Sequence, residues 1–585
     1  MGPWGWGPRV SPRECLAKRL RRVISVAKRH QRRERSVSEA NPGTSGGDTR
    51  GPSFAALALA VVAALLIPAT AWGAQVNEGQ VVRVANRDPN VVKERRENGE
   101  LTHSASKVEG HWEVAYFAGD EEVALVLVDP TSGEAIESWT GYQVLWKMAR
   151  GYSGAFGHKL NAPYVFLPLC VLFLVGLLDW RRPWRVATLD LLVLLGFGVS
   201  NYFFNRAEIG VSVPLQYPVL LYLLGRALWI GLRGRGEGIR SVWPAAWLLV
   251  AALFLMGLRV GLNMADSGAI DVGYAGVVGA DRITHGESLY ENFPSDVSQG
   301  DTYGPVNYIA YVPFEAIWPW HGSWDDLPAA HGAAVAFDLA TFALLIWLGL
   351  RIRPGPAGHK LAATLAFGWA AYPYTAYALE SNSNDTLVAA LLVAVLLALA
   401  RPAARGVVAA LATLTKFAPL LLAPMLATYR ARPRTIAIFS ATFLLTGALL
   451  MLWPAIDPGL HTVYDRTIAY QANRNSPFSI WGQVAGLEPL RIAILAATGL
   501  MAAGFAFVPR RKTLVQVAAL GAALLISLQL TAQHWFYLYI VWFYPLFLVA
   551  MTSLERIESA VGVAPRAPRE AAPQSDSSRE AAPNP

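Results

Sequence analysis

The sequence predicts an all-α polytopic membrane protein of about fourteen transmembrane helices, with a small α+β extracytoplasmic domain near its N-terminus. Two observations predict it. Hydrophobic residues make up 54% of the chain and charged residues 16%, whereas a water-soluble domain carries about a quarter charged residues. Apolar runs also recur at the length, about 20 residues, that a helix needs to cross a bilayer.

Residues 1–50 hold twelve Lys and Arg against four Asp and Glu, which accounts for the whole net charge of +8. We read 1–52 as a basic cytoplasmic tail whose stretch Arg13 to Arg35 touches anionic lipid and orients insertion. Nucleic-acid binding is the competing reading of that stretch, and no nucleic-acid partner is expected. Gly46 to Gly51 is a flexible linker. The first apolar run, within 53–73, is either an anchor or a signal segment cleaved near Ala71-Trp72-Gly73, and both place the next segment outside. Cys15 and Cys170 indicate no disulfide framework. No Cys/His cluster has zinc spacing, and no glycine-rich nucleotide loop comes after a strand.

Residues 75–145 are polar. His111 to Ala118 alternates, with Trp112, Val114 and Tyr116 on one face, and Val123 to Val128 is a second strand-like run. Asp129-Pro130-Thr131-Ser132-Gly133 is a turn. This window, HWEVAYFAGDEEVALVLVDPTSGEAIESWTG, resembles a PepSY-type domain, a small α+β module of exported proteins.

Additional transmembrane helices fill 160–240. Asn161–Trp180 ends at the basic break Arg181–Arg185, which belongs inside. Val186–Phe204 and Val213–Leu232 form a hairpin closed inside by Arg233, Arg235 and Arg240. Trp243–Leu262 then runs outward, so the loop 263–302 is external. Further runs cover 303–320, 330–350, 361–380, 385–400, 406–428, 435–454, 490–508, 513–531 and 536–553. The inside position of Arg510, Arg511 and Lys512 puts 455–489 and 532–537 outside. Counting 303–320 as a span leaves Arg351, Arg353, Lys360, Arg401 and Arg405 outside, against the positive-inside rule. The alternative makes 303–320 re-entrant and splits 406–428 into half-helices. Residues 556–585 read as a disordered tail.

The loop 263–302 is too rich in acids, tyrosines and glycines for a plain connector. Asp271 precedes a short helix over Val272 to Ile283, whose Tyr274, Val277 and Val278 would turn down onto the membrane surface. Asp266 lies at the mouth of the preceding span. Two other external segments add complementary groups: Arg466, Gln471, Asn473 and Arg474 in one, Gln533 and His534 in the other. Arg466 and Arg474 suit a phosphate clamp, with lipid head groups as the competing ligand. His534 suits an anion, either protonated or through its N–H. Trp535 to Tyr539 read as an interfacial aromatic belt. Asp190, Glu315, Asp338, Asp385 and Lys416 fall in apolar runs, where ionisable groups are functional hypotheses. Asn382, Asn384 and Asp385 equally suit the cap of a helix beginning at Thr386.

In order along the chain, SGAIDVGYAGVVGADRITHGESLY, YGPVNYIAYVPFEAIWP, GWAAYPYTAYALESNSNDTLVAALLVAVLLALA, GVVAALATLTKFAPLLLAPML, RTIAYQANRNSPFSIWG and QHWFYLYIVWFYPLF resemble the GT-C glycosyltransferases. The specific likeness is to glycosyltransferase family 87, the polyprenyl-phosphate-mannose users. The resemblance covers about half the chain, within a membrane domain bounded at 241–553. It departs from the family at Tyr303-Gly304-Pro305, where a proline doublet is usual, and in the extra N-terminal 240 residues. It implies a catalytic acid in the first external loop, matched by Asp271 with Asp266 in reserve. It also favours the count that includes 303–320. Tyr274, Tyr303, Lys416, Arg466, Gln471, Arg474, Gln533 and His534 would bind substrate.

The implied reaction moves a hexose, mannose by the resemblance, from a polyprenyl-phosphate donor to a lipid or glycan acceptor with inversion, outside the cell membrane. Asp271 would be the general base, and Arg466, Arg474 or His534 would hold the leaving phosphate. The mechanism tolerates a divalent cation, for which the sequence offers no clear ligand set. A secondary transporter or flippase using Asp190, Asp338 and Lys416 is the competing class. No inverted repeat supports it, and the polar residues gather at the external ends of spans.

Overall fold

The computed structural model describes residues 76–554 apart from 109, 120, 151–157, 235–237 and 475. The basic tail, its linker, the first apolar run and the C-terminal tail lie outside the described residues.

Where the sequence alternates, a sheet forms. Helices α1 (Glu78–Ala85) and α2 (Pro89–Asn98) precede β1 (Thr102–Val108), β2 (His111–Ala118), β3 (Glu121–Val128) and β4 (Ala135–Thr140), an antiparallel meander in sequence order. Asn77 starts α1 with a capping box: its side chain accepts from Gln80 N at 2.9 Å, and the Gln80 side chain accepts from Asn77 N at 3.0 Å. Val114 and Tyr116 of β2 and Ala124, Val126 and Val128 of β3 are fully buried, as are Val81, Ala85 and Val91 of the helices. One face of the meander therefore rests on the helix pair. The turn at Asp129 closes on its own carboxylate, which accepts from Thr131 N at 2.8 Å and Ser132 N at 2.7 Å. Those bonds hold the Asp129 carboxyl below its ordinary pKa.

The remainder is helical: α3 (Pro163–Leu177), α4 (Val186–Phe204), α5 (Ile209–Arg233), α6 (Ala245–Asp266), α7 (Asp271–His285), α8 (Pro305–Glu315), α9 (Pro328–Ile352), α10 (Gly355–Ala371) and α11 (Pro373–Glu380). Beyond them come α12 (Asp385–Ala398), α13 (Pro402–Thr413), α14 (Pro433–Pro454), α15 (Glu488–Phe507), α16 (Leu514–Leu530) and α17 (Ile540–Ser553). Among the described residues six helical segments are long and apolar enough to cross a membrane: α4, α5, α6, α9, α15 and the segment that begins with α14. With the composition, they make this a helical membrane protein.

Two expected spans take another form. The run 303–320 is α8, a helix of 11 residues. At 1.5 Å per residue it is about 16 Å long, roughly half the 30 Å hydrocarbon core and too short to span it as one helix. The run 406–428 is broken: α13 ends at Thr413 and helix resumes only at Ala418. Both changes match the alternative that the basic residues favour.

The expected surface helix is also a core helix. Gly273, Gly276 and Gly279 line one side of α7, where an added Cβ would meet Asn382 O at 2.2 Å, the Tyr311 ring at 2.7 Å and the Tyr308 ring at 2.1 Å. The helix backbone thus packs directly on the Tyr308 and Tyr311 rings of α8 and on the backbone of the break between α11 and α12. Tyr274, Val277 and Val278 are buried in protein, with Tyr274 stacked on Trp324 at 4.9 Å. That face is covered by the chain itself.

The acids that supported a transporter are ion-paired. Asp190 on α4 accepts from Arg226 Nε of α5 at 2.9 Å and from the Tyr222 hydroxyl at 2.8 Å. Asp338 on α9 accepts from Arg259 of α6 at 2.8 Å and from Trp369 Nε1 at 2.9 Å. Removing one member of such a buried pair costs about 3–5 kcal/mol, a sufficient reason for both to be present.

Candidate functional site

Three chain breaks converge beside α7. The first is Ser381–Asn384, between α11 and α12, where every residue is buried. Asn384, at the N-cap position of α12, gives no side-chain cap, and only Ser383 Oγ accepts weakly from Asp385 N, at 3.4 Å. Asn382 instead bonds Asn263 and Ser267 (2.9 and 3.0 Å), and Asn384 bonds Asn307 at 2.6 Å. Asp385 turns toward the second break, Leu414–Phe417. There Lys416 Nζ lies 2.5 Å from Asp385 Oδ1, which also accepts from Trp542 Nε1 at 2.7 Å.

The third break, Tyr303-Gly304-Pro305, runs along the second. Gly304 N donates to Thr415 O at 3.3 Å and Val306 N to Leu414 O at 3.0 Å. The approach needs glycine, since a Cβ at 304 would stand 2.1 Å from Leu414 O. The Lys416 ammonium consequently faces the rings of Tyr303, Trp542 and Tyr539 at 5.3, 5.1 and 5.7 Å.

A cavity of about 350 Å³ opens from this point. Tyr303, Lys416, Gln471, Arg474, Gln533 and His534 all line it, and Ile468, Leu495 and Leu528 give it an apolar wall. Among the described residues, buried polar atoms left without a partner include Arg474 Nε, Gln533 Oε1 and Asp385 Oδ2; such groups usually find one. Arg474 is held from the side by the rings of Tyr470 and Trp146, at 5.8 and 5.9 Å.

Asp271 is the first residue of α7, with its carboxylate accepting from Val272 N at 2.9 Å. The side chain reaches solvent, yet enough protein surrounds it that desolvation raises its pKa. The Arg474 and Lys416 cations oppose that rise and Asp385 reinforces it. A carboxylate poised above its ordinary range, within the field of two cations, is the balance a general base needs.

His534 differs from the protonated form of its expectation. Burial and the Arg474 charge push its pKa well below 6.5, so the imidazole is neutral and offers at most one N–H. Its Nδ1 pairs with Ser476 Oγ at 2.9 Å, and Phe478 packs on its ring edge to face.

Three candidates are placed elsewhere. Arg466 spends its guanidinium on buried Asp301, through Nε at 2.6 Å and a second nitrogen at 2.7 Å, and on Ser298 O at 2.6 Å. It ties the segment after α14 to the loop before α8. Asp266 pairs with Lys159 at 3.5 Å. Tyr274 is in the core, against Trp324. The reading of the sequence overlooked Trp542, Arg491 and Trp146, and it gave Tyr539, which lines the cavity, to an interfacial belt. Arg491, bonded to Glu488 at 2.7 Å, carries a legible signal, an arginine at the start of an apolar run. Trp542 carries none, because nothing local separates it from other apolar residues of α17. Among the described residues no three His, Cys, Asp or Glu are grouped to hold a metal ion, and Asp385 is already engaged by Lys416. No catalytic step is therefore assigned to a metal.

No family model matches the chain, and no curated protein matches it. Among solved structures, the crystal structure of ArnT from Cupriavidus metallidurans bound to undecaprenyl phosphate is similar at 15% identity and a TM-score of 0.36, over 53% of this chain. The match takes in 60% of that protein's length. A likeness at this level assigns no activity to this chain.

Proposed function

We propose that this protein is a multi-pass membrane glycosyltransferase of GT-C type. It transfers a hexose from a polyprenyl-phosphate donor to an acceptor hydroxyl on the extracytoplasmic side, with inversion. The observation that carries this reading is the grouping of Asp271 with two cations, Arg474 and the Asp385-paired Lys416, beside a cavity that is part polar and part apolar. A phosphate-linked sugar on an isoprenoid tail needs that combination.

In the reaction, Asp271 takes the proton of the acceptor hydroxyl as its oxygen attacks the anomeric carbon. The bond from that carbon to the phosphate oxygen breaks, and the departing polyprenyl phosphate keeps the electron pair and gains one negative charge. Arg474 and Lys416 stabilise that charge where it develops. The buried, unpartnered Gln533 amide oxygen, with Gln471, takes sugar hydroxyls. With Asp385 engaged by Lys416 and Trp542, Asp271 is the carboxylate left for the acceptor, and the absence of a second nucleophile from this reading points to single displacement, by analogy with the carboxylate logic of glycosidases.

The sidedness is supported by the helix ends. With α8 not crossing and 402–427 running as two half-length helices, Arg351, Arg353, Lys360, Arg401, Arg405, Arg430, Arg432 and Arg434 all fall on the side of Arg510 and Arg511. Asp271, Lys416, Arg474 and His534 fall on the other, as the positive-inside rule requires. The test is transfer from labelled polyprenyl-phosphate mannose in membranes, wild type against Asp271→Asn. Transfer by the wild type that Asp271→Asn abolishes supports the reading, and equal transfer by both removes Asp271 from the chemistry.

A further inference from the structure

Residues 476–483 and 535–537, which come soon after the cavity residues Arg474, Gln533 and His534 in the chain, are both fastened to the part that precedes α6. Ile480 N donates to the Tyr217 hydroxyl of α5 at 3.1 Å, and the Gln483 amide donates to Ile209 O at 3.1 Å. Tyr537, buried among aromatic rings, bonds Ser200 Oγ of α4 at 2.7 Å and Ser212 Oγ of α5 at 3.1 Å.

The small domain reaches furthest. Just past β4, Trp146 sets its ring against the Arg474 guanidinium at 5.9 Å, the His534 imidazole at 5.9 Å and the Phe478 ring at 5.6 Å, edge on. Its own position is fixed. Gln143 donates to Ala207 O at 3.0 Å, in the turn between α4 and α5, and Arg150 Nε donates to Gln143 O at 2.8 Å. Ala149 is fully buried beside it. Arg474 Nε has no hydrogen-bond partner among the described residues. Aromatic faces flank this guanidinium, with no ion pair of 4 Å or less to an acid among the described residues, which leaves its Nε donor to a ligand.

We propose that the N-terminal region completes the phosphate-binding end of the site, with Trp146 as the positioning residue for Arg474 and His534. The inference rests on the polyprenyl-phosphate donor reading of the site. It assigns the small domain a part in donor affinity instead of treating it as an appendage. A planar face steers a guanidinium without neutralising it, whereas a carboxylate there would compete with the phosphate. The indole matters for orientation and not for the chemical step.

The test uses the full chain in detergent with undecaprenyl phosphate as the probe, together with donor kinetics. Trp146→Ala should bind the probe about three- to thirtyfold more weakly, the range of a cation–π contact. Its donor KM should rise by the same factor while kcat holds. Trp146→Phe should recover most of the affinity. Trp146→Leu, which keeps bulk but loses the π face, should behave like alanine. Wild-type affinity in both the alanine and leucine variants overturns the proposal, as does failure of both to accumulate, which would make Trp146 a folding residue. If the wild type itself neither binds the probe nor transfers sugar, the donor reading is the part that fails.

Discussion

Replacing Asp271 by Asn removes a charge and keeps the shape, so it separates chemistry from folding. A general base contributes about 10²–10⁴ in rate, or roughly 3–5 kcal/mol of barrier at 1.36 kcal/mol per decade. Sugar transfer by Asp271→Asn should fall by at least that lower factor. The stability effect has the opposite sense. Desolvation by the surrounding protein raises the Asp271 pKa above its ordinary 3.8 despite the nearby Arg474 and Lys416. The folded protein therefore binds the proton more tightly than the unfolded chain does. The stability this supplies is fully present below the unfolded pKa and is lost as pH rises through the folded one. At neutral pH ionised Asp271 works against the fold, and the Asn variant should melt at the same temperature or higher. The wild-type rate should also drop on acidification at a pH above 3.8, the ordinary value from which desolvation raises this base. The assays are labelled-donor transfer across pH and thermal unfolding of the purified protein. Near-normal transfer by the Asn variant, or a loss of activity that merely tracks a lowered melting temperature, refutes the reasoning. Asp266→Asn is the control. Its partner Lys159 is half exposed, such pairs are worth about 0–1 kcal/mol, and both rate and stability should stay close to wild type.

Arg474→Ala should raise the donor KM about ten- to hundredfold, for a charge-assisted contact of roughly 1.5–3 kcal/mol. Arg466→Ala should leave KM unchanged and instead lower the melting temperature, because it strands buried Asp301; the two variants exchanging these phenotypes would reverse the assignment. Lys416→Met should destabilise the protein by about 3–5 kcal/mol by leaving Asp385 buried and unpaired. Adding Asp385→Leu should restore thermal stability but not donor affinity, and recovery of both would remove Lys416 from phosphate binding. Gly273→Ala pushes a methyl group to 2.2 Å from Asn382 O and should cost about 1–3 kcal/mol or more, seen as reduced accumulation and a lower melting temperature. Single cysteines at Glu287 and Ala485 should react with an impermeant thiol reagent on intact cells, whereas one at Arg432 should react only after permeabilisation. Labelling of all three on intact cells would break the proposed sidedness.

The strands of the small domain were legible because alternation is a local property. Val114 and Tyr116 face the core for the reason that made them visible in the sequence, and the Asp129 turn is written in five consecutive residues. The pairing of the cavity groups was only partly legible. Arg474, Gln471, Gln533 and His534 stood out as polar residues next to apolar runs, and the fold brings them to one cavity. Arg466 stood out equally, yet it is taken by Asp301, 165 residues away. Asp190 and Asp338 looked like isolated charges because their partners, Arg226 and Arg259, lie on other helices.

By itself the sequence determined a membrane protein rich in helix, a small sheet domain, and the set of polar groups from which a site can be drawn. These come from composition and from periods of two and about twenty residues, and neither needs knowledge of neighbours. Only the tertiary structure decided which runs form unbroken helices and which charges are paired. A span and a broken half-helix have the same hydropathy, and the difference lies in contacts such as Gly304 against Leu414 O and the bonds that hold Asn382 and Asn384. It also decided the place of Trp146, since a tryptophan after a strand carries no mark of the arginine, 328 positions further along the chain, on which it rests.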